Sequence, residues 1–346
     1  MNINVNHGSA FLLLLTKNRL KSMDVIIEKP LLWFKDQREN GRHEFMYNNL
    51  KKVLDESGLR IIESNYEERD DYSERIAPTN GFYLSYHSIG FKKNVWRIKE
   101  TPIPYFYSID KRGHSGWSEL SSNSPEYAKH VEDARKFPES IGRDIRVKIK
   151  NWLIDNHLSK YTQSDEIHTL PDNFIFYPLQ TNHDPVRVHD NFSQIKAIFM
   201  LSLYAFINKN HVVTKIHPYY TGIKIKFLIK VMERFNKFFH TSNMSLTKLL
   251  PACSAVFVAN SGAGFEALIY GKPVYSFSAS EYDMAVIKIK KTNEIRKIFN
   301  KTHIFKTNVN PDSYIGYFFT KMAFDSRNET DIRNKINKIV DVVQSD

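Results

Sequence analysis

The stretch AVFVANSGAGFEALIYGKPVYSF, Ala255 to Phe277, decides the reading of this chain. Ala255 to Ala259 is a short apolar run of strand type, and Asn260-Ser261-Gly262 follows it. Ala263 to Tyr270 then reads as a short helix closed by Gly271, a residue that suits the position just past a helix end. Pro273 to Phe277 is the next strand. A strand, a tight small-residue turn, a helix and a second strand in so short a span form a βαβ unit, which implies a parallel sheet.

The same alternation extends N-terminally. Asn173 to Leu179 (NFIFYPL) is strand-like, Gln180 to Asn191 is a polar loop, and Phe192 to Lys209 is a largely apolar helix. His211 to Ile216 is another strand, ending at His217-Pro218, and Leu228 to Phe239 can form a helix. Ahead of this region, Ser124 to His157 is charged and interrupted by Pro138, which predicts two surface helices. The first part of the chain is rich in aromatic residues, and Arg38 to Arg75 holds a helix-like stretch, the run LRII and an acidic loop. The expected class is therefore α/β, a doubly wound sheet whose ligands sit beyond the carboxyl ends of its strands.

Length and composition frame this reading. A chain of 346 residues exceeds the usual single core and predicts two domains of roughly 150 residues each. The single cysteine, Cys253, excludes an intrachain disulfide and suits a reducing compartment. No cysteine and histidine spacing suggests zinc, so no metal is expected. The apolar run Ala10 to Leu15 is too short to span a membrane, and the expected location is the cytoplasm. The net charge of +11 is densest from Lys288 to Lys306. It carries no nucleic-acid-binding signature. A phosphate-bearing ligand and attraction to an anionic membrane surface account for it, as does a merely solvated basic face.

Four constellations can carry chemistry. In the first, the small residues around Gly262 let a ligand approach a helix start, where free N–H groups attract phosphate. Asn260 or Ser261 could cap that helix and meet the ligand, and Glu266, one turn in, could bond a ribose or sugar hydroxyl. The bland reading is a tight turn with a solvated Glu266. The second is His217-Pro218 at a strand end, suited to a phosphate or carboxylate, although lone histidines are more often structural. The third is the polar loop Gln180 to Asp190, in which Asp184 is a candidate base or nucleophile flanked by His183, Arg187 and His189. Asp190, just ahead of a helix, reads as its N-cap. The fourth is Tyr107 to Leu120, where Gly113-His114-Ser115-Gly116-Trp117 could stack on a sugar or bury its tryptophan between domains. Tyr86-His87-Ser88 is a weaker fifth.

Taken together, Tyr177-Pro178-Leu179-Gln180, His183-Asp184, His189, His217-Pro218, Asn260-Ser261-Gly262 with Glu266, and Gly271-Lys272-Pro273-Val274 resemble the capsule-polysaccharide biosynthesis family of bacterial 3-deoxy-manno-octulosonic acid (Kdo) transferases. The resemblance covers about residues 174–277, and the Gly113–Trp117 loop is similar to the family's N-terminal half. Pro185 departs from the small polar residue usual there. The resemblance implies a GT-B architecture of two Rossmann-like domains with a cleft between them. The expected division is an N-terminal acceptor-side domain over 1–165, a nucleotide-sugar domain over 166–310, and a final helix over 311–346 crossing back. It further implies CMP-Kdo as donor, with no metal or other cofactor, and a glycan or glycolipid acceptor.

In such enzymes His217, Asn260 and Ser261 would hold the CMP phosphate and its surroundings. Gln180, His183, Arg187, Pro218, Gly262 and Glu266 complete the expected donor site, with Arg187 or Lys215 facing the sugar carboxylate. Asp184 would attack the anomeric carbon and give retention. Alternatively it would deprotonate the acceptor in a single inverting displacement. His114 and Glu119 would lie across the cleft, toward the acceptor. A CDP-glycerol type glycerophosphotransferase of the same fold, or an inverting GT-B enzyme using another nucleotide sugar, is the alternative reading.

Overall fold

A computed structural model describes residues 23–35, 41–66, 74–160, 166, 169–181, 184–217, 219, 222–299 and 306–345. The chain forms two compact units, each with its own sheet.

The first unit begins with β1 (Asp24–Pro30), α1 (Arg42–Glu56), β2 (Arg60–Tyr66), β3 (Gly81–Tyr86), β4 (Val95–Glu100) and β5 (Phe106–Asp110). β1 pairs in parallel with β2 and β3, and β3 with β4, whereas β5 turns back antiparallel to β4. Gly81 opens β3 where any Cβ would fall 1.8 Å from the Asp24 carbonyl oxygen, so only glycine lets these strands start side by side.

The second unit contains α2 (Tyr127–Arg135), α3 (Glu139–Asp155), β6 (Ile175–Pro178), α4 (Gln194–Asn208), β7 (Val212–Lys215), α5 (Ile223–Phe235), β8 (Phe239–Thr241), α6 (Leu246–Ala252), β9 (Ala255–Val258), α7 (Gly262–Ile269), β10 (Val274–Ser276), β11 (Ile287–Lys288) and α8 (Pro311–Tyr317). Its sheet runs in the order β11-β10-β9-β6-β7-β8, and every pairing is parallel. The strand β6 comes first in sequence yet lies in the middle. The order therefore reverses between β6 and β9, which is the switch point where such sheets bind ligands.

The four sequence-predicted strands correspond to β6, β7, β9 and β10, each slightly shorter than its apolar run. The helix expected over 228–239 instead starts at Ile223 and ends at Phe235, because Phe239 enters β8. Pro138 separates α2 from α3 as its residue type requires, standing as the N-cap of α3.

The last segment, Met322–Asp346, belongs to the first unit. β12 (Ala323–Asp325) pairs antiparallel with β5, completing the order β12-β5-β4-β3-β1-β2, so this sheet is mixed. α9 (Glu329–Ser345) buries Ile332, Ile336, Ile339 and Val340 in the same core as Val25, Ile27, Leu50 and Leu84.

The division expected at residue 165 is corrected. His114–Lys321 forms the second unit together with Pro102–Pro104, so residues 114–165 belong to it. The reason is packing between α3 and α8. A Cβ at Gly142 would lie 1.9 Å from the Asp312 carbonyl oxygen, and one at Gly316 would lie 2.2 Å from the Phe137 ring. Arg143 and Arg146 both bond the Asp312 carboxylate across this contact. Nothing local in a charged helix announces such a partner.

Candidate functional site

The site is built on the loops that leave β6, β7 and β9. β6 ends at Pro178, and Gln180 is buried just beyond it. The Gln180 amide nitrogen donates to Asp184 Oδ2 at 3.0 Å and to Asn260 Oδ1 at 2.9 Å. The Gln180 carbonyl in turn accepts from the Gln194 amide at 3.1 Å, at the start of α4. Gln180 and Asn260 stand on opposite sides of the switch point, so one side-chain hydrogen bond ties the two loops together.

Asn260 is itself fully engaged. Its amide nitrogen donates to the carbonyls of Val186 at 2.9 Å and Ala279 at 3.1 Å. Its role in this structure is thus to fix the Asp184–Asp190 loop and the loop after β10. Asp184 is half-buried and caps the 3-10 turn Pro185–His189, its Oδ1 accepting from the Val186 N–H at 3.3 Å. Pro185, the family departure, occupies the first position of that turn, where its missing N–H costs nothing.

Asp190 does not cap the helix that follows. Ser193 does, accepting from the Lys196 N–H, while Asp190 pairs with Arg187 at 3.3 Å. Burial pushes the Asp190 carboxyl up and the Arg187 guanidinium pulls it back. Arg187, expected to face a sugar carboxylate, thus has a carboxylate partner within its own turn. The alternative, Lys215, is also engaged. Its ammonium donates to the carbonyls of Asn243 and Met244, and burial lowers its pKa.

His217 follows β7, and its Nδ1 accepts from the Tyr219 N–H at 3.2 Å, which leaves the proton of the neutral ring on Nε2. His183 and Pro218 lie outside the described residues. Ser261 caps α7 by accepting from the Ala263 N–H, and its carbonyl accepts from the Tyr282 hydroxyl at 2.8 Å. Gly264 is required there because a Cβ would lie 2.8 Å from that hydroxyl oxygen. Gly262 opens the helix with its Cβ position 3.1 Å from Pro102. Glu266, expected to meet a ribose or sugar hydroxyl, is completely buried and accepts the Ser159 hydroxyl at 3.0 Å. Burial pushes its pKa up to about 8, so it is mostly protonated at neutral pH.

The Gly113–Trp117 loop gives the largest revision. His114 and Glu119 were expected across a cleft from Asp184, yet both belong to the same unit as Asp184. The loop packs on the 3-10 turn that Asp184 caps. The Trp117 ring meets the His189 ring edge-on at 4.6 Å, and His114 meets Trp117 at 5.7 Å. A Cβ on Gly116 would lie 2.2 Å from the His189 ring. Burial lowers the His189 pKa, so the ring is neutral, with Nδ1 3.2 Å from the Asn123 amide.

Beneath this contact lies a group that the sequence reading missed. The buried Asp283 carboxylate bonds the Ser122 N–H at 2.9 Å and the Ser280 hydroxyl at 3.0 Å, and it pairs with Lys288 at 2.6 Å. Ser122 is far from Asp283 in sequence, so only the fold reveals the network. In the first unit, a comparable buried carboxylate, Glu28 at the end of β1, accepts from Arg75, Tyr83 and Ser85. Tyr86-His87-Ser88 adjoins it, with the Tyr86 N–H donating to Glu28 and His87 paired with Glu100. Among the described residues, no group of three or more histidine, cysteine, aspartate or glutamate side chains could hold a metal ion.

The profile of the family described as capsule polysaccharide biosynthesis protein matches residues 118–319, more than half of the chain. The chain belongs to this family. The family match starts directly after the Gly113–Trp117 loop and runs through α8, and so lies within the second unit. It bears out the family resemblance carried by the strand-end residues. The fold is similar to that of a beta Kdo 2,7 transferase, KpsC from Thermosulfurimonas dismutans, with a TM-score of 0.53 and 17% identity. That match covers 92% of this chain and 99% of the other. A beta Kdo 2,4 transferase of KpsC from the same organism matches at a TM-score of 0.49 and 13% identity, covering 90% and 97%. No curated protein matches the sequence significantly. The chain's architecture is α/β of the GT-B type, with two sheets and interleaved helices.

Proposed function

We propose that this protein is a glycosyltransferase that moves Kdo or a related ulosonic acid from its CMP-activated form to a bacterial surface glycan or glycolipid, with Asp184 as nucleophile. The observation that carries the proposal is the Asp184 carboxylate itself. It stands half-buried beyond β6, beside the switch point, and Gln180 and the Val186 N–H fix both its oxygens. Family membership and the likeness in fold to a protein described as a beta Kdo 2,7 transferase support this reading.

The anomeric carbon of such a donor carries a carboxylate and gains oxocarbenium character as CMP departs. An aspartate oxygen would form a bond to it as the bond to the CMP phosphate breaks, the electron pair departing with CMP. The start of α7 and His217 Nε2–H would receive the phosphate charge. The acceptor hydroxyl then displaces Asp184, losing its proton, and the two inversions leave net retention.

The test is incubation of the protein and an Asp184→Asn variant with CMP-Kdo generated in situ, following CMP release and intact mass. An added mass of one Kdo unit on the wild type alone is the expected result. Acceptor-dependent CMP release without an adduct at any quench time would reassign Asp184 as the base of a direct displacement. The absence of both turnover and donor binding would remove the donor assignment.

A further inference from the structure

The second unit carries a surface that the transfer reaction does not use. Helices α4 and α5 cover one face of its sheet, and Ala197, Ile198, Leu201, Ile225 and Ile229 point into a common core. Their opposite faces are also apolar. On α4, Ile195, Phe199, Leu203 and Phe206 recur at intervals of four, four and three residues, forming one outward stripe. Phe199 is 52% exposed and Phe206 58%. On α5, Ile223 is 81% exposed and Phe227 68%. Asn236 at the end of α5 donates to the Ser202 carbonyl of α4 at 2.7 Å, so the two helices lie side by side. Exposed side chains of this size in one area mark an interaction surface rather than scattered surface residues.

Charge identifies the partner. Between Asp190 and Glu266 the sequence contains a single acidic residue, Glu233. On the two helices, Lys196, Lys224, Lys226, Lys230 and Arg234 interleave with the exposed apolar side chains. An amphipathic surface of phenylalanine and isoleucine fringed by lysine matches the boundary between the headgroups and acyl chains of an anionic bilayer. A symmetric pairing of two copies would set like charges against each other. Residues 1–22 hold Lys17, Arg19 and Lys21 and no acid, so they are no better matched to it. Among the described residues no helix is long and apolar enough to cross a membrane.

We propose that the outer faces of α4 and α5 dock this protein peripherally on an anionic phospholipid surface. The apolar side chains enter the interface and the lysines face lipid phosphates. In the other concentration of basic residues, Lys288 is held by Asp283 and Lys297 by Glu294, and no exposed apolar stripe like that of α4 accompanies them among the described residues.

The test is flotation of the full chain with vesicles of phosphatidylglycerol and phosphatidylcholine, and with phosphatidylcholine alone, at low and high salt. The expected result is binding to the anionic vesicles only, weakened by salt. It should fall at least about tenfold in Phe199→Ser/Phe227→Ser and in Lys226→Glu/Lys230→Glu, with circular dichroism unchanged. Phe227→Trp adds a direct probe, whose emission should shift to the blue only when anionic vesicles are added. No vesicle binding, equal binding to neutral vesicles, or binding indifferent to both double variants overturns the proposal. Emission of the Phe227→Trp probe that is already blue-shifted without vesicles overturns it in favour of a second copy or the chain's own N-terminal segment. Binding to single-stranded RNA with no vesicle binding overturns it in favour of a nucleic acid partner.

Discussion

Asp184 has two partners that restrain it, and their effects on activity separate. Replacing the proposed nucleophile in Asp184→Asn should lower turnover of the proposed CMP-linked donor by at least about a thousandfold, read as CMP release. Gln180 touches Asp184 through one amide nitrogen and acts as a positioning residue. Gln180→Ala should reduce kcat by roughly ten- to a hundredfold with little change in the donor KM, because the carboxylate loses orientation rather than contact. Gln180→Glu would set a second carboxylate against Asp184 and raise the pKa of the pair. The acidic limb of the kcat–pH profile should then move to higher pH, which a purely structural role would not produce. Asp184 and Gln180 were legible in the sequence as polar residues after a buried strand. The hydrogen bonds of Asn260 to Val186 and Ala279 were not, because they join loops that only the sheet brings together.

At the scale of elements, close approach decides what the chain tolerates. Gly142 allows α3 to lie against α8, with a backbone carbonyl in the space a side chain would need. Gly142→Ala should therefore destabilise the protein by about 1–3 kcal/mol, read from urea unfolding. Gly116→Ala meets a ring instead of backbone, and the His189 side chain must move. Its expected signature is a loss of activity larger than its loss of stability, because His189 closes the turn that Asp184 caps. The elements around β6, β7, β9 and β10 were readable because parallel strands buried on both faces give continuous apolar runs. The short strands β8 and β11 were not, since two or three residues carry no periodicity.

For the whole molecule, buried charge couples the fold to pH. The Glu266 carboxyl is raised from an ordinary 4.5 to about 8 by burial. Its protonated form fits the core, so its contribution to stability is complete below the unfolded pKa and is lost as pH rises through the folded one. Thermal stability of the wild type should fall between about pH 4.5 and 8 from this group, and Glu266→Gln should flatten that fall. The gain in Tm of the variant over the wild type should accordingly be larger at pH 8 than at pH 5. Lys288→Met tests one of the buried ion pairs, since it leaves Asp283 without its cation. The expected cost is about 3–5 kcal/mol by chemical denaturation.

The sequence by itself determined the α/β class, the strand-turn-helix spacing after β9, and the family to which these residues belong. Each of these is written in local order: apolar runs set strands, small residues set the turn, and a glycine ends the helix. The tertiary structure alone decided that His114 to Asp155 joins the second unit, that Glu266 is buried against Ser159, and that Asp283 and Lys288 lie with Ser122. Those outcomes depend on which surfaces meet, and the contacting residues are separated by far more chain than any local pattern spans.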